Sequence, residues 1–528
     1  MRRCRHNQIC CILALLALLA AMFSCDSALP TSAGESGTTT AASSAAPAEE
    51  AIQKPLALPF ASRDVLNPFL AETQLNLQLA PLIYESLFAV DDTFEPIPVL
   101  AKECIKETSL QYRLTLRTDR VFQNGAPLTS ADVAYSFQKA KNALPYNEHL
   151  ANIAGFAAQK DGSLRITLKK ENVFLSALLD FPIVPLNSAE TKRFDQAQNG
   201  LFFSVASTPI GTGMYQLTAS GGAFALSYNT KHPGTEPMFK TLDLYGVIDT
   251  SSLLYGLEMD NYQFAYDDLS KGTLQRVSAT TVRVATTNLI YLGCNAWRAP
   301  LSNQGLRAAL ALCLNKEKIV SDGFSGFARA TQTPFPPAWY ALEKTESASY
   351  DSNAAIKALE DLGYNAIKNT GVRASKYQSL KFTLVYNEDN PYKTAAANAI
   401  KTQFQAAQVS IELKPMPLDQ YTKAVRTGQF DFYLGEVRLP PDCALDAFLQ
   451  TGGDATAGIN VWGSSGQDYT KMRRGSITPA QFVTSFNADM PFIPIAYRDG
   501  VAVRSRGLKS PLNARQNNLF YDIADWHY

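Results

Sequence analysis

The fold class turns on Phe430-Asp-Phe-Tyr-Leu-Gly-Glu-Val-Arg-Leu-Pro-Pro-Asp442. Apolar and polar side chains alternate over 430–434, the period of a half-buried strand. Gly435 then lets the chain turn, or lets another molecule come close to the backbone. Glu436, Arg438 and Asp442 follow, and Pro440-Pro441 ends any ladder because proline has no N–H to donate. Charged side chains just past the end of a buried strand are where α/β proteins place ligand-binding groups. The same residues would also suit an edge strand with solvated charges, so the rest of the chain has to choose.

Outward from this stretch the pattern is strand–helix–strand. Residues 394–407 read as a helix with Ala397, Ile400 and Phe404 on one side, 409–413 as a strand and 418–427 as a second helix. That alternation predicts an α/β lobe with at least partly parallel strands. Earlier, 56–60 reads as a first strand, and 111–117, 163–168 and 222–228 alternate as strands, so that region is richer in β structure. Asn124-Gly125 is a hairpin dipeptide. Thr129 can cap a helix with Asp132 reaching back. Late strands at 492–497 and 501–503 can return to the first lobe.

A chain of 528 residues is too long for one core and predicts two or three domains. Hydrophobic content of 46% and charged content of 18% describe a globular protein rather than a disordered one. Forty-eight basic residues balance forty-eight acidic ones, so no nucleic-acid partner is implied. The four histidines, His6, His149, His232 and His527, lie far apart in sequence and predict no metal site.

Arg2, Arg3 and Arg5 precede a continuous apolar run over 9–23. That run is shorter than the ~20 residues of a bilayer-spanning helix and suits the apolar core of a secretory signal. Its end, Met22-Phe-Ser-Cys25, resembles a bacterial lipobox, departing from it at Met22 and Phe23, and predicts a lipid on Cys25. Residues 26–55, rich in Ser, Thr, Ala, Gly and Pro, read as a flexible spacer with an r.m.s. reach of roughly 30 Å. Cys104, Cys294, Cys313 and Cys443 show no paired spacing, so no disulfide or metal framework is expected. Cys313 falls on the apolar face of 306–314.

Several stretches occur in a telling order: Leu82-Ile-Tyr-Glu-Ser-Leu87, Pro98-Val-Leu-Ala101, 112–117, Val121-Phe-Gln-Asn-Gly125 and 127–136. Pro209-Ile-Gly-Thr-Gly-Met-Tyr215 follows, then Tyr291-Leu-Gly-Cys-Asn295 with Gly305-Leu-Arg-Ala-Ala-Leu310, and Tyr350-Asp-Ser-Asn-Ala-Ala355 through Leu362-Gly-Tyr364. From about residue 56 onward the chain resembles the family 5 extracellular solute-binding proteins of bacterial ABC importers, which include dipeptide and oligopeptide receptors. Met214 replaces the proline of that family's P-x-GTGPY turn.

The resemblance implies an α/β, two-lobed fold of the type II periplasmic-binding-protein (Venus flytrap) kind, with an extra β-rich domain inserted in the first lobe. The implied segments are 1–25 signal and anchor, 26–55 spacer, 56–88 first lobe, 89–206 inserted domain, 207–288 first lobe again, 289–490 second lobe and 491–528 return. It implies a non-enzymatic monomer without cofactor, outside the cytoplasm and lipid-anchored at the membrane, on the periplasmic side or the outer face. Such a receptor would close on a small solute, in the first instance a peptide, and deliver it to a permease and ATPase.

In the peptide-binding members, the motif at this strand end reads roughly G-W-x-x-D-x-x-D-P, and its first aspartate holds the ligand's amine. Laid onto this chain, Gly435, Pro441 and Asp442 match, Glu436 stands at the tryptophan position and Leu439 at the amine-binding aspartate. A buried ammonium needs a paired anion, which Leu439 cannot provide unless Glu436 or Asp442 substitutes. Arg438 can grip a carboxylate or phosphate in a bidentate manner, or pair with Glu436 or Asp442. Asn76 and Gln78 lie in what resembles the first lobe's ligand-facing loop, where amides bond ligand or cap a helix. Tyr291, Asn295 and Trp297 follow the implied crossing between lobes, Trp297 as a stacking surface or a core residue. Lys393 falls near the position where dipeptide receptors carry an arginine for the ligand carboxylate.

Two rival readings exist. Ser136-Phe-Gln-Lys139 fits the S-x-x-K of penicillin-binding serine enzymes and Ser321-Asp-Gly323 is distantly like S-D-N, yet no K-T-G is present and Ser136 sits in the capped helix. No G-x-S-x-G, P-loop or H-E-x-x-H occurs. A tethered ligand sensor without import would carry the same sequence features as an importer receptor.

Overall fold

The computed structural model describes residues 55–188, 209–220, 223–249, 251, 253–273, 278–343, 350–366, 369, 371–449 and 463–528. The expected signal, Cys25 and all but the last residue of the spacer lie outside the described residues. None of the described helices is long and apolar enough to cross a membrane.

Apolar burial gathers the chain around two principal cores. In the first, the strand Leu56–Ala61 runs parallel to Thr241–Val247, which pairs antiparallel with Ala223–Tyr228 and through it with Tyr215–Ser220. A parallel pair needs a crossover, and here the crossover contains a whole second sheet. That sheet is an antiparallel set in the order Ala101–Lys106, Gln111–Leu116, Leu164–Leu168, Ile153–Ala158. The helix Ser130–Ala140 lies on it, with Phe137 against Phe156 and Phe181. Its predicted capping box forms: Thr129 N donates to the Asp132 carboxylate at 2.8 Å, and Thr129 Oγ1 accepts from Asp132 N. The Gly-Thr-Gly turn before Tyr215 has a steric cause, since a Cβ on Gly211 would lie 1.9 Å from Ile83 O and one on Gly213 2.6 Å from Leu82 O.

The second core surrounds a mixed sheet in the order Phe264–Asp267, Phe492–Arg504, Thr280–Cys294, Phe432–Arg438, Lys381–Asn387, Ser410–Met416. Lys381–Asn387 is parallel to both Ser410–Met416 and Phe432–Arg438, and the helices Pro391–Ala406 and Leu418–Arg426 make the connections. Ala397, Ile400 and Phe404 are buried as their spacing predicts. The longer helix begins earlier than the apolar pattern indicates, because Asn390 caps it and Pro391 opens it.

Two long strands join the cores. Thr280–Cys294 has Val284 in the first core and Leu289 onward in the second, and Phe492–Arg504 makes the reverse passage from Phe492 to Ala502. Their antiparallel register shifts between Val284 and Asn288, opposite Arg498, Asp499 and Gly500. At this crossing Thr286 Oγ1 donates to Arg498 O, and Arg329 holds Asp499 at 2.8 Å. Burial pushes the Asp499 carboxyl up, against the pull of Arg329 and Arg283.

The structure corrects two strand boundaries. The deciding strand does not end before Gly435 but runs from Phe432 through Arg438. Gly435 is neither a turn nor an open approach: the Tyr291 ring of the neighbouring strand occupies the place of its missing side chain, and a Cβ there would lie 2.3 Å from the ring's Cζ. The two late strands are one, Phe492–Arg504, because Arg498 and Asp499 are buried in ion pairs rather than exposed in a turn.

Candidate ligand-binding site between the lobes

A cavity of about 590 Å³ lies beside the crossing strands, within the size range of small-molecule sites. One wall comes from the helix Gln74–Ile83, which contributes Gln78, from Glu85, and from His149 and Asp180. The second lobe contributes Arg438, Leu439 and the two prolines after it, and the C-terminal return adds a wall that includes Arg515 and Gln516.

Arg438 reaches this wall because the strand extends to it before Pro440-Pro441 stops the ladder. It is exposed, and among the described residues its guanidinium makes no hydrogen bond or ion pair. The two acids that the sequence offers as its partners are bound elsewhere. Glu436 lies between Lys393 Nζ at 2.7 Å and Arg498 Nε at 2.6 Å. Burial pushes the Glu436 carboxyl up, but the two cations outweigh it and hold it below its ordinary range. Burial pulls Lys393 down, against the attraction of Glu436. Asp442 is fully buried, paired with Arg473 and accepting from Asn172 Nδ2 at 3.0 Å.

The other sequence candidates divide. Gln78 and Leu439 line the cavity. The Leu439 backbone is tied to Thr287, its N–H donating to Thr287 O at 3.0 Å and its carbonyl accepting from Thr287 Oγ1 at 2.7 Å. Asn76 is buried and clamps the loop after the first strand, bonding Ala61 N and O and Val65 O. Tyr291 is core, packed edge-on against Tyr433, Phe448 and Phe492. Asn295 donates to Gly428 O and Phe430 O at the far end of its strand. Trp297 lies just beyond that end, 67% exposed and away from the cavity lining. The Lys393 ammonium is held by Glu436 rather than offered to a ligand.

Several wall residues carry no signal in the sequence. His149 and His232, far apart along the chain, line the same cavity, each beside a carboxylate: His149 Nε2 is 3.1 Å from Asp180 and His232 Nε2 is 3.5 Å from Glu85. Glu85 stands within the Leu82–Leu87 motif, but nothing local shows that Arg120 and His232 converge on it. Among the described residues no three His, Cys, Asp or Glu side chains are grouped to hold a metal ion. Ser136 is buried on its helix, donating to Asp132 O at 2.7 Å and accepting from Val184 N at 2.9 Å. No lysine is among its partners.

Comparison with known proteins agrees with the two-lobed fold. The family model for bacterial extracellular solute-binding proteins, family 5 Middle, matches residues 95–454. The glutathione-binding protein GsiB of Pectobacterium atrosepticum is 23% identical over 472 residues, covering 87% of this chain and 85% of that protein. The unliganded open form of MppA, a periplasmic murein tripeptide binding protein, superposes with a TM-score of 0.72 at 16% identity, covering 90% of this chain and 98% of that one. A nickel ABC transporter structure from Bacillus halodurans gives 0.71 at 18% identity, covering 87% and 97%. The two-lobed fold is thus shared across proteins with little sequence in common. The chain belongs to the bacterial extracellular solute-binding proteins of family 5, the substrate-binding proteins of ABC importers.

Proposed function

We propose that this protein is a lipid-anchored receptor that captures a small solute bearing an acidic group, a peptide in the first instance, and hands it unaltered to an ABC permease. The observation that carries this reading is Arg438, presented to the interlobe cavity while Glu436 and Asp442 are bound to other cations. A guanidinium fork fits a carboxylate in two parallel hydrogen bonds. Relatives named for glutathione and for a murein tripeptide support a peptide-sized ligand with free carboxylates.

The amine end has no aspartate at Leu439, so Gln78 and the carboxylates Glu85 and Asp180 of the facing wall are the groups that receive it. A non-enzymatic role is supported by Ser136, whose hydroxyl is bonded on both sides to backbone. Cys25 carries the lipid, and residues 26–55 tether the receptor outside the membrane.

The test is titration calorimetry with tripeptides on wild type and Arg438→Ala. Loss of a charged hydrogen-bonding partner predicts about ten- to hundredfold weaker binding. Unchanged affinity removes Arg438 from the site.

A further inference from the structure

We infer that Arg515 completes an oxyanion subsite with Arg438, so that the ligand's acidic group is gripped by one arginine from each lobe where the lobes join. The inference deepens the receptor reading and rests on it.

Both arginines line the same cavity. Their placement is set through one hinge residue, Thr287. Gln516, the neighbour of Arg515, accepts from Thr287 N at 2.6 Å and donates to Thr287 Oγ1 at 3.2 Å. Leu439, the neighbour of Arg438, is bonded to Thr287 at both its N–H and its carbonyl. Thr287 thus pins the residue next to each arginine to the same point of the crossing strand. Arg515 comes from the first-lobe side, in a turn closed by mutual backbone bonds with Asn518 at 3.1 Å and followed by Leu519 and Phe520 in the first core.

Arg515 lacks an acidic partner among the described residues. Its guanidinium carbon lies 3.3 Å from the centre of the Tyr521 ring, which fixes the plane of the fork without neutralising it. Its Nη1 is buried and has no hydrogen-bond partner among the described residues, a condition that costs about 1–3 kcal/mol. None of the carboxylates of the same wall, Glu85, Glu148 and Asp180, is ion-paired with either arginine among the described residues. Asp180 accepts from Asn517 Nδ2 at 3.0 Å and faces His149, and Glu85 faces His232 and Arg120.

Two guanidinium groups on opposite sides of a hinge, neither with an acidic partner among the described residues, suit a carboxylate or a phosphate, and neither a neutral nor a cationic group. An oxyanion held by both also links the second-lobe strand end to the C-terminal return, so binding it favours the closed arrangement.

The test uses the full chain, dialysed free of co-purified solute and titrated at low ionic strength with succinate and, separately, inorganic phosphate, following the melting temperature. Wild type shows a saturable rise with at least one anion. Arg515→Ala and Arg438→Ala each shift the midpoint by about tenfold or more, and Arg515→Lys, which keeps the charge without the fork, recovers part of it. A response confined to succinate assigns a carboxylate, and one confined to phosphate assigns a phosphate. No saturable rise in wild type, or a rise unchanged in Arg515→Ala, overturns the subsite. Failure of the receptor reading is a separate outcome: a wild type that binds neither tripeptide nor any co-purified solute contradicts that reading, while the anion titration still decides the arginine pair.

Discussion

Lys316 opens the helix Lys316–Phe324 with its side chain almost wholly buried and, among the described residues, no acid paired with it, and burial pulls its ammonium down to about 7. The folded value lies below the ordinary 10.5, so the folded chain holds this proton less tightly than the unfolded chain. The penalty is full below about pH 7 and fades as pH rises toward 10.5. Lys316→Met is therefore expected to be more stable than wild type at pH 7, by about 1–4 kcal/mol, with the gap closing by about pH 10. Denaturant melts at the two pH values check it, and a gap independent of pH contradicts it. Gly435 makes a steric prediction. Alanine there drives a Cβ into the Tyr291 ring, an overpacking expected to cost about 1–3 kcal/mol. Combined with Tyr291→Leu, the loss should fall short of the sum of the single losses, and strict additivity would remove the ring as the cause. At this scale the sequence is least informative. Arg438 can be placed near the ligand, but whether it is free depends on Arg473, 31 residues from Asp442, and on Arg498, 62 residues from Glu436. Arg515 carries no local mark that separates it from a surface arginine.

Elements are more legible, and where their boundaries slip, buried charge or a packed ring is the reason. Helical spacing finds the helix Pro391–Ala406, and the Thr129–Asp132 pair finds the start of Ser130–Ala140. Arg498-Asp499-Gly500 looks like a break between two strands, because nothing local shows that Glu436 and Arg329 wait to pair with the two charges. Between elements, Asp442 is a strut. It joins Arg473, at the end of the helix Ser464–Arg474, to Asn172, and the neighbouring Val173 N donates to Arg473 O at 2.9 Å. Phe174 packs on Trp339 with ring centres 5.2 Å apart and lies under the Arg473 guanidinium. Asp442→Ala leaves a buried arginine without its anion, so a loss of about 3–5 kcal/mol in a denaturant melt is expected. A loss under about 1 kcal/mol would show that the strut bears little of the fold's stability.

For the whole molecule, the order of motifs carries the architecture, because each marks a structural necessity. The Gly-Thr-Gly turn passes a helix end too closely for side chains, and the apolar run at 289–294 continues one of the two crossing strands into the second core. The ligand is not legible, since its walls come from segments as far apart as Gln78 and Arg515. In the proposed reading, one small acidic solute sits between the lobes and leaves unchanged. Native mass spectrometry of the full chain as purified is the decisive test. The predicted result is a single 1:1 adduct of peptide-sized mass, released intact after prolonged incubation and depleted in Arg438→Ala. A chain without any adduct, or a released solute whose mass has changed, would contradict it.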